Sequence, residues 1–188
     1  GMPPIKINKK TGEIKNSIGS GRVGIDIGTQ TVAISSEIDV KLLELAPGID
    51  NIEKEKRILL RKLDRQRRAN NPNKYNEDGT IKRENKDRWV KSNKYIKTQN
   101  ELRELQRKQA DIRKQNHEEL ANYILGLGNK IYVEDMNYKG LQSKAKETTI
   151  NKKTGKYNKK KRFGKSLANK APSMFLTILD NKLKFNGR

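Results

Sequence analysis

Apolar and polar positions alternate from Val23 to Ile27, with Val23, Ile25 and Ile27 separated by Gly24 and Asp26. A period of two is the signature of a strand with one covered face. Gly28-Thr29-Gln30 turns the chain, and Val32 and Ile34 predict a second short strand. Ile38, Val40, Leu42, Leu43 and Leu45 predict a third, so the three form a meander. Residues 2–20 are polar, carry a turn at Thr11-Gly12 and read as a lead-in.

After Pro47-Gly48 the period changes. Asp50 and Glu53 have the spacing of a capping box. Ile52, Leu59, Leu60 and Leu63 would share the apolar face of the helix that follows, with Lys54, Lys56, Arg57, Arg61, Lys62, Arg65, Arg67 and Arg68 around the rest. Asn70 to Asn85 reads as a loop, punctuated by Asn71-Pro72 and Asp78-Gly79. A long helix is predicted from about Lys91 to Leu127. Its narrow seam of Leu102, Leu105, Ile112, Leu120, Tyr123, Ile124 and Leu127, with polar breaks at Gln109 and Asn116, suits a hairpin packed on the Asp50 helix. Gly126 and Gly128 stop it, and Ile131, Tyr132 and Val133 predict a buried strand ending at Glu134. Asn151-Lys152-Lys153-Thr154-Gly155 repeats Asn8-Lys9-Lys10-Thr11-Gly12, and both strings read as hairpin turns. Met174, Phe175, Leu176, Ile178, Leu179 and Leu183 predict a last helix opened by Pro172-Ser173.

Charge changes the picture. The 188 residues carry a formal net charge of +21, with 32% hydrophobic and 35% charged residues. Solubility alone asks for about 2 to 8 net charges on a small domain. So large an excess repels itself in the compact state, and a polyanion relieves the repulsion. Nucleic acid, DNA or RNA, is the expected partner, and Arg57, Arg61, Arg65, Arg68, Lys152, Lys153, Lys159, Lys160, Lys161 and Arg162 are the candidate phosphate contacts. The last six fall in a run, Lys144 to Lys165, holding ten Lys or Arg and one Glu. With no cysteine, disulfides and Cys-based zinc sites are excluded. No apolar run reaches the roughly 20 residues of a membrane span, and Met2-Pro3-Pro4-Ile5-Lys6 leads into polar sequence rather than a signal peptide. The expectation is a cytoplasmic protein.

Two carboxylates stand where chemistry can use them. Asp26 lies near the end of the first strand and Glu134 ends the fourth. In an RNase H-like order, a meander, then helices, then a strand beside the first, these two strand ends are neighbours. Paired carboxylates hold hard divalent cations such as Mg2+ or Mn2+. Two such ions about 4 Å apart activate a water and stabilise the leaving oxygen of a phosphodiester. Asp26 alone is equally readable as a solvated turn residue. His117, beside Glu118 and Glu119, is expected on the surface or at a hinge. Trp89, Tyr95 and Tyr123 can stack on bases, although seam packing is the expectation, above all for Tyr123.

The same order carries a family resemblance. Gly24-Ile25-Asp26-Ile27-Gly28-Thr29 resembles the first RuvC motif of the transposon-encoded TnpB (OrfB) nucleases. Tyr132-Val133-Glu134-Asp135-Met136-Asn137-Tyr138-Lys139-Gly140-Leu141 resembles the second, in which the Glu is a metal ligand. Lys161-Arg162-Phe163-Gly164-Lys165-Ser166-Leu167 resembles the segment after it. The resemblance implies a mixed α/β, RNase H-like (RuvC-like) sheet over residues 21–188, with a basic helical-hairpin insertion at about 50–127. It further implies a metal-dependent DNA endonuclease guided by an RNA, with Asp26 and Glu134 as catalytic metal ligands and one or two Mg2+ or Mn2+ ions as cofactor.

The family continues into a Cys-rich zinc ribbon and a third motif that supplies another Asp, and this sequence shows neither. Asp135 and Asp180 do not match that motif: Asp135 should point away from Glu134, and Asp180 should decorate a helix. The expectation is therefore a nuclease fragment with an incomplete site, or a non-catalytic RNA/DNA-binding module. An actin-like ATPase or sugar kinase shares the core fold, but the basic insertion and the lack of further Gly-rich phosphate loops argue against it.

Overall fold

The computed structural model describes residues 7–143, 149–157 and 163–186, with the elements β1 (Arg22–Ile27), β2 (Thr31–Ser36), β3 (Val40–Glu44), α1 (Asp50–Asn70), α2 (Asn93–Leu127), β4 (Lys130–Val133), α3 (Tyr138–Gln142), α4 (Gly164–Lys170) and α5 (Pro172–Asn186). The chain divides into two compact units, residues 1–47 with 114–188, and residues 48–113. The boundary falls inside α2, so the last turns of that helix belong with the sheet.

The first unit is mixed α/β. Its four strands run in the order β3-β2-β1-β4, antiparallel through the meander and parallel between β1 and β4. One face is covered. Val23, Ile25 and Ile27 of β1 and Val32 and Ile34 of β2 pack with Ala121, Ile124, Leu125 and Leu127 of α2 and Phe175 and Leu179 of α5. Gly24, Asp26, Ala33, Ser35, Val40, Leu42 and Tyr132 alternate with that set and take the opposite face. The connection from α2 to β4 is held against the start of β1 by close backbone approach. A Cβ on Gly128 would lie 2.7 Å from the Gly21 carbonyl oxygen, so any side chain there forces the backbone to shift.

Three expectations are corrected here. β4 is an edge strand with Tyr132 58% and Val133 40% exposed, not a buried one; a short apolar run reads the same in either place. His117 is fully buried, its ring 5.7 Å from that of Phe175, because it falls on the inner face of α2 one turn before Ala121. The neighbouring glutamates that suggested a surface site lie on the outer side of the same helix. The capping box does not form: Ile49 holds the N-cap position without a side-chain bond, and Asp50 is the first helical residue. A carboxylate there still favours the helix dipole.

The second unit is a helical hairpin with a structured connection. Glu53, buried on α1, accepts from Gln109 Nε2 of α2 at 2.7 Å and pairs with Lys56, and Lys56 also donates to Gln109 at 3.0 Å. Gln66 donates to Thr98 at 3.2 Å. The polar break at Gln109 is thus a satisfied buried contact. The connection folds round Asn71, whose side chain donates to the Arg67 and Val90 carbonyls and accepts from the Val90 N–H. Lys74 is buried and donates to Asn85 and to the Asp87 carbonyl. Tyr75 meets Trp89 edge-on with centroids 6.0 Å apart, and Arg68, Arg67 and Lys74 lie over these two rings.

The repeated string adopts one shape twice. Gly12 N–H donates to the Asn8 carbonyl at 2.8 Å and Gly155 N–H to that of Asn151 at 2.9 Å. Asn8 and Asn151 each accept the N–H two residues on through the side chain. Gly12 and Gly155 take φ of 74° and 65°, and bridges Ile7–Ile14 and Ile150–Tyr157 close the two loops. These are the hairpin turns expected from the residues.

Candidate functional site

The parallel pairing of β1 with β4 sets Ile25 opposite Val133. Glu134 N–H then donates to the Ile25 carbonyl at 3.4 Å, which carries the ladder one residue further and sets Asp26 beside Glu134. Ile25 is on the covered face, so Asp26 is on the open one, and Glu134 follows Val133 to the same side. Both carboxylates are exposed. Neither receives a hydrogen bond or an ion pair from a described side chain, in a chain with 43 Lys and Arg. Other acids are in ion pairs, among them Asp39, Glu44, Glu53, Asp64, Glu101, Glu104, Asp111, Glu118 and Asp180.

α3 begins four residues after Glu134. Asn137 caps it by accepting the Gly140 N–H at 2.8 Å. The first residue of α3, Tyr138, has a hydroxyl shielded from solvent and without a hydrogen-bond partner among the described residues. Burial first, and the charge of Asp26 second, push the Tyr138 phenol above its ordinary pKa. Among the described residues no three or more His, Cys, Asp or Glu side chains gather as a metal-holding group. Asp180 is exposed on α5 and bonded to Lys184 at 2.6 Å, which leaves it a helix-surface residue. The acids that the strand register sets side by side here are therefore two, Asp26 and Glu134. That suits a single hard cation of the Mg2+ or Mn2+ kind, which keeps several waters of its own.

The basic candidates sort by position on α1. At 100° per residue Lys54, Arg57, Arg61, Arg65 and Arg68 fall within an arc of about 80°, opposite the face that buries Ile52 and Leu63. All five are exposed, and the stripe runs about 21 Å along the axis. Arg57, Arg61 and Arg65 make no ion pair. Arg68 instead donates to Asp64 and the Gly79 carbonyl and lies 4.6 Å from the Tyr75 ring centre. Lys152 and Lys153 are exposed in the Asn151–Gly155 turn. Lys159, Lys160, Lys161 and Arg162 lie outside the described residues.

Of the aromatic candidates, Tyr123 is structural: its hydroxyl donates to Asp39 at 2.6 Å and Lys41 sits 4.9 Å from its ring centre. The Lys41 ammonium, 2.7 Å from the Asp39 carboxylate, and then the Tyr123 hydroxyl hold the Asp39 carboxyl below its usual range. Trp89 is 37% exposed and already carries cations on its ring. Two shallow depressions lie in the second unit, one lined by Asn93, Ile96 and Asn100 and the other by Glu55, Leu59 and Leu105. Neither includes Asp26, Glu134 or a basic residue of the α1 stripe. Among the described residues no helix is long and apolar enough to cross a membrane. Compared with known proteins, the chain matches no family model and no curated sequence.

Proposed function

We propose that this chain is a nucleic-acid-binding part of a metal-dependent endonuclease with an RNase H-like (RuvC-like) core, of the TnpB type. The observation that carries the reading is the register that sets Asp26 beside Glu134 on the open face of the sheet, both without a basic partner. The strand order supports it, since an antiparallel meander extended by a parallel strand next to β1 is the arrangement the RNase H-like reading requires.

Asp26 and Glu134 would hold the divalent cation through their carboxylate oxygens. When bound, it lowers the pKa of a water and offsets charge on the phosphodiester. The protein's own part is to present both acids from adjacent strand ends, a rigid mount that keeps their spacing fixed. The stripe on α1 would run beside a phosphate backbone, displacing counterions without reading sequence. DNA is the proposed substrate, and a guide-type RNA the proposed second partner.

The test is a nicking assay on single- and double-stranded DNA with Mg2+ or Mn2+, comparing the chain with Asp26→Ala and Glu134→Ala. Metal-dependent cleavage lost in both variants, with DNA binding kept, supports the endonuclease. Equal background in all three, with binding kept, assigns the chain as a binding module. Loss of cleavage in neither variant, where cleavage is robust, removes these residues from the site.

A further inference from the structure

We propose that the outer edge of β3 docks an extended, basic segment of another protein, which joins the four-stranded sheet there as a further strand.

The backbone comes first. β3 is the last strand on its side of the sheet. Ser36 N–H donates to the Asp39 carbonyl and Leu45 N–H to that of Gln30, and both pairs extend the β2–β3 register. In an antiparallel ladder, bonded pairs alternate with unbonded ones. The backbone groups of Asp39, Lys41, Leu43 and Leu45 therefore face β2, and those of Val40, Leu42 and Glu44 face outward. Natural edges are guarded by proline, by a bulge or by lysine. β3 has no proline and keeps its five residues paired in unbroken register. Its one lysine, Lys41, is held 2.7 Å from Asp39 and lies over the Tyr123 ring, which draws it off the edge.

The side chains come second. Ile38, Val40 and Leu42 are 71%, 74% and 70% exposed, three large apolar groups at alternate positions. A contiguous apolar row left in water marks an interaction site. An added strand covers such a row while its backbone satisfies the edge.

Charge selects the occupant. From Val23 to Pro47 there are four acids, Asp26, Glu37, Asp39 and Glu44, and one base, Lys41. Lys170 also reaches this edge, on Glu44 at 2.7 Å. Glu37, Asp39 and Glu44 against Lys41 and Lys170 leave −1, in a chain of +21. Screening confines each charge to about 8 Å at physiological salt, so the local sum decides. Phosphates are not drawn to such an edge, and a second copy would bring the same acids against their like. Lysine or arginine at the ends of an apolar strand meets Glu37 and Glu44, which flank the row.

The probe is a synthetic peptide, Lys-Thr-Val-Thr-Val-Thr-Val-Thr-Lys, added to the full 15N-labelled chain. Amide hydrogen exchange is read by NMR and folding by thermal melting. The peptide should slow exchange at Leu42 and Glu44, whose N–H groups face outward, and leave Lys41 and Leu43 unchanged. The same peptide with glutamate at both ends should bind about tenfold more weakly. Leu42→Lys should melt with wild type and lose the protection; Val40→Lys serves if that variant fails to fold. No protection at Leu42 and Glu44, or equal affinity for the two peptides, overturns the proposal. Protection that appears without peptide as the chain is concentrated assigns the edge to a second copy, and protection by duplex DNA alone assigns it to nucleic acid; either result also overturns it.

Discussion

The α1 stripe can be removed without touching the fold. Arg57, Arg61 and Arg65 are exposed and form no ion pair, and the nearest contact is a long 3.5 Å bond from Arg57 Nε to the Glu53 carbonyl. Alanine is at least as good a helix former as arginine, so a triple Arg→Ala variant should melt with wild type. Each phosphate neutralised contributes about 0.9 to the slope of log affinity against log salt on duplex DNA. Three contacts therefore lower the slope by about 2.7. Across a fourfold rise in salt, wild type should lose about 40-fold more affinity than the variant. Fluorescence anisotropy on a labelled duplex from 50 to 200 mM salt, the range over which such contacts are felt, measures both slopes. A variant slope within about 0.5 of wild type would refute phosphate contact by this stripe, whatever the change in affinity at one salt concentration.

Three further outcomes follow from packing and charge. Phe175→Ala, at a fully buried position between sheet and helix, should cost about 3 to 5 kcal/mol in urea unfolding. Gly128→Ala should cost about 1 to 3 kcal/mol, because its Cβ meets the Gly21 backbone rather than a side chain that can swing away; a neutral result would show that the connection gives. Asp39 has its folded pKa depressed by Lys41 and Tyr123, so its stabilisation is present above the unfolded carboxylate pKa and lost as pH falls through the folded one. Asp39→Asn should flatten the acid limb of the melting-temperature profile, and an unchanged limb would refute the assignment.

Much of the sheet unit was legible because period-two alternation at Val23–Ile27 and the helical period of Met174–Leu183 are imposed by one covered face. That Asp26 and Glu134 lie at neighbouring strand ends was legible from the strand order as well. What escaped detection lacked a period. α4 is seven residues long and buries one apolar side chain, Leu167, with Lys170 tied to Glu44 at 2.7 Å, so nothing in its sequence marks a helix. His117 was misread from its charged neighbours, since adjacent residues on a helix point 100° apart. Leu60 was assigned to the covered face of α1 and is 46% exposed, one position off the Ile52–Leu63 line. Tyr138 carried no signal, because an unsatisfied hydroxyl is a property of the fold around it.

The twin turns amount to a replicate. Asn-Lys-Lys-Thr-Gly bends the same way at Asn8–Gly12 and at Asn151–Gly155, far apart in the chain and with different flanking residues. Nothing outside the five residues need instruct it: the asparagine supplies the acceptor and the glycine the left-handed φ. Each loop is thus a self-contained turn that a label or a short peptide can be threaded into without renegotiating the core. A fluorophore at one and a quencher at the other would report the span between the two loops, with the acid pair and the α1 stripe left intact.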